Sequence, residues 1–331
     1  MKKILFATTA LVATAGVAAA EVTFGGYGRF GLIYNEGNDD VGEKKTNVEQ
    51  RFRLTITGLT ETDAGVKFEA RIRFQTDDQI GGSSNVAQRS AAGFAVSSGG
   101  FRLDVGNVSD VIDSGDVFDY FGYGVGLTSF AETSSNFVLP VSGFGTSGDD
   151  SLVSPTVKAR YIYGDFTVAA SYTRDSIVSL DDPLTTGTDE FQIGDEEWQV
   201  GVGYSFGNYN IGAAYGQSDQ FNGGNNDFWV VGFGGEIGAF GFTAIVADSD
   251  LQDDISYGAS INYDIGAATS LRAVYSDNGI DNGSVGDFDF GRPTYAVGAR
   301  HSLGGGVTLA GGIGQNTNKN IVGDLGVIFN F

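Results

Sequence analysis

Residues 51–57 read Arg51, Phe52, Arg53, Leu54, Thr55, Ile56, Thr57, and residues 67–74 read Lys67, Phe68, Glu69, Ala70, Arg71, Ile72, Arg73, Phe74. Both stretches alternate with period two, the signature of a β-strand. Alternation puts Arg51, Arg53, Thr55 and Thr57 on one face, against Phe52, Leu54 and Ile56 on the other. In the second stretch Lys67, Glu69, Arg71 and Arg73 oppose Phe68, Ala70, Ile72 and Phe74, and upstream Arg29 opposes Phe30 and Leu32. Faces so different call for two different solvents. A cation turned to the middle of a lipid bilayer costs about 2–4 kcal/mol. If the apolar faces meet hydrocarbon, the face with five arginines and a lysine must enclose water.

The pattern continues along the chain. Phe166, Val168, Ala170 and Tyr172 alternate with small or polar residues, as do Trp198, Val200, Val202 and Tyr204, and finally Leu325, Val327, Phe329 and Phe331. Segments of about 9–11 residues match a tilted strand that crosses a bilayer. Their starts fall near 22, 48, 65, 87, 100, 155, 165, 196, 208, 227, 239, 253, 268, 293, 305 and 321, which makes sixteen. An even number brings both termini to one side. Short glycine turns such as Gly164-Asp165, Gly207-Asn208 and Gly238-Ala239 alternate with long acidic loops such as 35–45, 174–197, 217–227 and 276–289. The expectation is an all-β chain, a 16-stranded antiparallel transmembrane β-barrel in one domain. A soluble sandwich also alternates, but here tyrosines crowd the strand ends (Tyr34, Tyr161, Tyr163, Tyr172, Tyr204, Tyr215, Tyr263, Tyr275) as an interfacial girdle would.

Lys2 and Lys3, the apolar run from Ile4 to about Val17 and the small residues Ala18, Ala19 and Ala20 read as a signal peptide over 1–20, which leaves 21–331 as the barrel. The mature chain then has 331 − 20 = 311 residues and a net charge of 17 − 41 = −24, against −22 before cleavage. So acidic a chain is a poor partner for nucleic acid. Nothing after the leader approaches the ~18 apolar residues of a membrane helix, so only a closed barrel would leave no backbone group unpaired in lipid. There is no Cys; 52 Gly with only 4 Pro point to tight turns and crowded strands.

Of the 17 mature Lys and Arg residues, 10 lie between Arg29 and Arg102. The longest stretch without clean alternation follows, about Gly106 to Ser154, and carries Asp110, Asp113, Asp116 and Asp119. A loop of this length inside a compact fold is usually functional. Folded into the barrel, it would set these carboxylates across a water-filled slot from the arginine wall. Carboxylate oxygens suit calcium, but no Asp-x-Asp-x-Asp-Gly loop assigns a calcium site, and no cofactor is required.

At these residues the chain resembles the Rhodobacter-type porins of alphaproteobacteria. The similarity runs from EVTFGGYGRFGLIY (21–34) through FGNYNIG (206–212) to the ending GDLGVIFNF (323–331). The resemblance implies a sixteen-stranded homotrimer in the outer membrane, among lipid and lipopolysaccharide, whose inward third loop narrows each pore for small hydrophilic solutes. It implies a basic wall, with Arg29 and Arg51 at the matching positions, facing acidic residues in the Asp110–Asp119 stretch. Arg53, Lys67, Arg71 and Arg73 join that wall by alternation. Phe331 resembles the signal that the outer-membrane assembly machinery reads. The loop offers Asp rather than an Asp and Glu mixture, which leaves eyelet size and ion preference open. No catalytic grouping accompanies the one His, His301, so no enzyme is expected. The alternatives to a general diffusion channel are a substrate-selective channel and a non-conducting or enzymatic barrel.

Overall fold

The computed structural model describes residues 20–77, 88–135, 137, 155–174, 196–219, 225–252, 254–277, 283–285, 288–290 and 293–331. The expected signal peptide lies outside the described residues except for Ala20, and so does most of the 174–197 loop.

Sixteen antiparallel strands form the wall: β1 (Glu21–Asn35), β2 (Thr46–Glu61), β3 (Lys67–Asp77), β4 (Gly93–Ser98), β5 (Phe101–Gly106), β6 (Thr156–Tyr163), β7 (Phe166–Arg174), β8 (Glu196–Phe206), β9 (Tyr209–Ser218), β10 (Asn226–Ile237), β11 (Phe240–Ser249), β12 (Ser256–Ile265), β13 (Thr269–Asp277), β14 (Thr294–Gly304), β15 (Val307–Gln315) and β16 (Ile321–Asn330). Each pairs with its neighbour in sequence, and β1 pairs with both β2 and β16, which closes the sheet. Closure leaves no free strand edge, the condition for a sheet in hydrocarbon. Among the described residues two shorter pieces add to the sheet structure: Gln88–Arg89 against β3, and a hairpin of Gly283–Val285 with Phe288–Phe290.

The expected strand starts agree closely with the observed ones except at β4. Expected near 87, it begins in earnest at Gly93, because 88–89 contributes only a two-residue pairing. The short connections share one end of the barrel with both termini. At Gly164, Gly207 and Gly238 the backbone has φ near +60°, while the next residue does not. That is the type II′ hairpin, which suits the twist of the strands and requires glycine at its first central position.

The apolar side of the strands faces outward. Phe24 is 64% exposed, and Phe30, Leu32, Phe52, Val168, Val200, Ile261, Val297 and Leu325 are also exposed. All eight tyrosines expected in the girdle are exposed. Towards the short-turn end the rings form a nearly continuous belt: Phe166–Tyr204 and Phe240–Tyr263 lie 4.5 Å apart, and Phe206 lies 5.7 Å from both Tyr204 and Tyr209.

The larger of two buried apolar clusters among the described residues is inside the barrel. Val111, Ile112, Val117, Phe118 and Tyr120, all from the loop after β5, pack on Ala169, Ala214, Phe228, Val230, Ile245 and Ala247 of the wall. On β10 and β11 both faces are therefore apolar, one on the outside of the barrel and the other beneath the loop.

Candidate functional site

The third loop on the long-loop side starts at Asn107 and lies along the inner wall. Its backbone amides donate to polar side chains that alternation turns inward. Val111 donates to Ser171 Oγ on β7 (3.3 Å), Ile112 to Gln199 Oε1 on β8 (3.0 Å) and Tyr123 to Ser260 Oγ on β12 (2.8 Å). On β16, Asp324 accepts from the amides of Leu127 (2.7 Å) and Thr128 (2.8 Å) and from the Thr128 hydroxyl (2.7 Å). Arg272 on β13 and Arg300 on β14 donate to the carbonyls of Gly124 (3.0 Å) and Gly126 (3.2 Å). The loop thus follows the wall from β7 round to β16, across the barrel from β2 and β3.

Glycine on the wall makes room for it. A Cβ on Gly203 or Gly212 would strike the Val117 carbonyl, one on Gly232 the Phe118 ring, and one on Gly258 the Thr133 carbonyl. These glycines act by lacking a side chain, not by adopting a special backbone.

Opposite lies the basic cluster, on the inward faces of β1, β2 and β3. Arg29 and Arg51 are cross-strand partners. Arg29 is neutralised by Glu49, 2.6 Å away on β2. Arg51 donates to the Tyr27 hydroxyl (3.3 Å); Arg53 donates to Gln75 Oε1 (2.5 Å) and lies over the Tyr27 ring at 5.2 Å. Arg71 reaches the Asn107 carbonyl (3.4 Å), and Arg73 lies within the field of Arg51, Arg53 and Arg71. Lys67 departs from the expected cluster: it begins β3 beside the short turn, where it pairs loosely with Glu61 at 3.9 Å, half exposed.

The four aspartates divide by environment rather than forming one acidic face. Asp110 corrects the expectation of a lumen-facing carboxylate: it is only 2% exposed, buried between loop and wall, where it accepts from the Asp113 amide (2.8 Å). Burial pushes its carboxyl up to about 6. Burial also raises Asp113, with Lys158 and Arg73 pulling the other way. Asp116 binds Lys158 (2.7 Å) and Arg160, both on β6. Burial alone would raise it, but these two cations outweigh burial and hold it below the ordinary carboxylate range. Asp119 is the only exposed one of the four, and it accepts from the amides of Phe121 (3.2 Å) and Gly122 (2.9 Å). Its acidic neighbour is Glu132, pushed up to about 7 by burial and then by Asp119.

Sequence reasoning missed Lys158, Arg160 and Arg102 on the wall and Glu132 on the loop. The first two carried a readable signal, since Lys158 and Arg160 stand two apart opposite Val157 and Tyr161, the same pattern as Arg51 and Arg53. Glu132 carried none, because its position depends on how the loop folds back at Val125 and Ala131. Among the described residues no three His, Cys, Asp or Glu side chains are grouped to hold a metal ion. His301 is exposed and shares a hydrogen bond with Thr269 Oγ1 (2.7 Å).

A closed sixteen-stranded wall, apolar outside and charged inside, is here crossed by a long internal loop. The sequence model of the Gram-negative porin family matches residues 7–321. The chain belongs to the Gram-negative porin family. Among curated proteins, this porin is 30% identical to "Porin" of Fuscovulum blasticum, over 94% of this chain and all of that one. It is 27% identical to "Porin" of Rhodobacter capsulatus, with the same coverage. A solved triple mutant of Rh. blastica porin superposes with a TM-score of 0.72 at 27% identity, covering 94% of this porin and all of that chain. Alphaproteobacterial relatives of this kind are what the resemblance at both ends of the barrel implied.

Proposed function

We propose that the protein is a general diffusion porin of the outer membrane: a water-filled channel for passive passage of small hydrophilic solutes and ions. The observation that carries this reading is the inner loop lying across the barrel from the β2–β3 arginines. In this reading Asp119 and Glu132 line one side of the lumen and Arg51, Arg53, Arg71 and Arg73 the other. A field across the slot aligns polar solutes, while an apolar solute gives up hydration on entry without gaining a partner. Asp113 and Asp116 lie near β6, at the basic edge of the same slot.

Residues 1–20 act in this reading as a cleaved export signal, and the working form is a homotrimer held in lipid and lipopolysaccharide by the aromatic girdle. Phe331 serves as the assembly signal. The channel needs no cofactor and no catalytic residue. Purified protein in liposomes should swell them with small sugars and lose that effect as the sugar grows. Permeation with no size limit, or none at all, overturns the reading.

A further inference from the structure

On the outer side of β7 to β10, near the long loops, aromatic rings adjoin one another. Tyr172 on β7 is the cross-strand partner of Trp198 on β8, and Tyr215 on β9 that of Trp229 on β10. The Trp198 and Tyr215 rings, 5.5 Å apart, join the two pairs into one row. Alternation turns the row outward, because Ser171, Gln199 and Phe228 beside it are buried on the inner side. Both tryptophans of the chain stand in this row.

The same face carries carboxylates at its long-loop edge. Glu196 and Asp227 each precede a tryptophan by two residues, and Asp248 is the cross-strand partner of Trp229. Asp250, which is exposed, accepts from the Asp227 amide (2.9 Å). Cations are missing here: no Lys or Arg occurs in the sequence between Arg174 and Arg272. An anionic lipid head would meet only Arg174, which Glu196 already holds at 3.0 Å. Nor do the carboxylates converge on an ion, since among the described residues no three are grouped to hold a metal. The charge of this face calls for an organic cation.

An ammonium over an aromatic ring is attracted by the ring quadrupole, and quaternary ammonium ligands are recognised in this way. In a choline or ethanolamine phospholipid the ammonium is the outermost group and the acyl chains are the innermost. The wall shows the matching order, with carboxylates at the rim, then the rings, then exposed valines such as Val200 and Val231. We propose that this face docks an ammonium-headed phospholipid: the ammonium against Asp227, Asp248 and the Trp229 ring, the chains along the valines. The proposal rests on the porin reading, which puts this face in the membrane, and goes beyond it by naming the lipid.

The test uses full-length purified protein in mixed bilayers, with one lipid brominated on its acyl chains to quench nearby indoles. Because both indoles belong to this face, tryptophan fluorescence reads it directly. Brominated phosphatidylcholine should reach half of its full quenching at about fivefold lower mole fraction than brominated phosphatidylglycerol, the worth of one exposed cation–π contact with one exposed ion pair. Asp227→Asn with Asp248→Asn should remove the preference, while Asp165→Asn, in a short turn at the other end, should leave it unchanged. If the double variant does not fold, salt decides, because a preference carried by exposed charge shrinks as salt rises. Equal quenching by the two lipids overturns the docking face and leaves the porin reading standing. So does a preference that survives the substitutions or high salt, or one that turns to phosphatidylglycerol when magnesium is added. Quenching by neither lipid overturns both, since the rings would then lie outside the membrane.

Discussion

Arg102 and Arg160 stand directly opposite each other on β5 and β6, and like charges in that position destabilise a sheet. Each has its own counter-ion: Glu69 at 3.2 Å and Asp104 at 2.9 Å for Arg102, and Asp116 for Arg160. Asp116 also neutralises Lys158, whose side chain is only 7% exposed. Removing one partner of a buried ion pair leaves an uncompensated charge, which costs more than the pair itself contributes. Asp116→Asn should therefore loosen the loop root by about 3 kcal/mol, seen as faster proteolysis of the loop with the barrel intact. It should also shift the reversal potential towards anions, because two cations lose their counter-charge. Unchanged protection together with unchanged selectivity would show that these ion pairs hold nothing in place.

At the scale of the element, the third loop is what departs from the rest of the chain. Its sequence shows that it is long and acidic, but its path depends on inward side chains far away in sequence, such as Gln199, Ser260 and Asp324. Its carboxylates give it a pH response. Glu132 titrates near 7 and Asp110 near 6 in the packed loop, above the usual range because burial opposes their charge. A carboxyl raised on packing costs stability when ionised, so this cost is present above pH 7 and disappears as pH falls through the raised values. Asp116 works the other way, and its contribution is lost only below the ordinary carboxylate range. Between pH 8 and 5 the loop should become more protected from hydrogen exchange. Over the same range the current should shift towards anions as Glu132 loses its charge. Glu132→Gln should flatten most of the selectivity change; an unaltered pH profile in that variant would assign it to another group.

For the molecule as a whole, a barrel must be sealed at one seam, between β1 and β16. Phe331 extends that seam: its amide and carbonyl exchange hydrogen bonds with Gly26 (3.1 Å each), and its ring stacks on Phe52 at 5.7 Å. Two hydrogen bonds at about 1 kcal/mol each, with little from a half-exposed ring, suggest that deleting Phe331 costs about 2 kcal/mol. Thermal unfolding in detergent should then shift downwards even where no assembly machinery is present. An unchanged transition would confine Phe331 to its proposed role as a signal.

Period-two alternation was enough to find every strand but β4 to within a few residues, together with the outward apolar side, the tyrosine girdle and the inward arginines, because each depends only on which way a side chain points along its own strand. It was not enough where the two faces stopped differing. Phe228, Val230, Ile245 and Ala247 point inward although they are apolar, since the loop rather than water covers them. The glycines under Val117 and Phe118 look like strand weakeners until that loop lies on them. Only the tertiary structure decided that Asp110 is buried, that Asp116 belongs to β6 and that Asp119 and Glu132 are neighbours. These outcomes follow from contacts between residues as far as 197 positions apart, as between Leu127 and Asp324, and no local pattern encodes contacts of that kind.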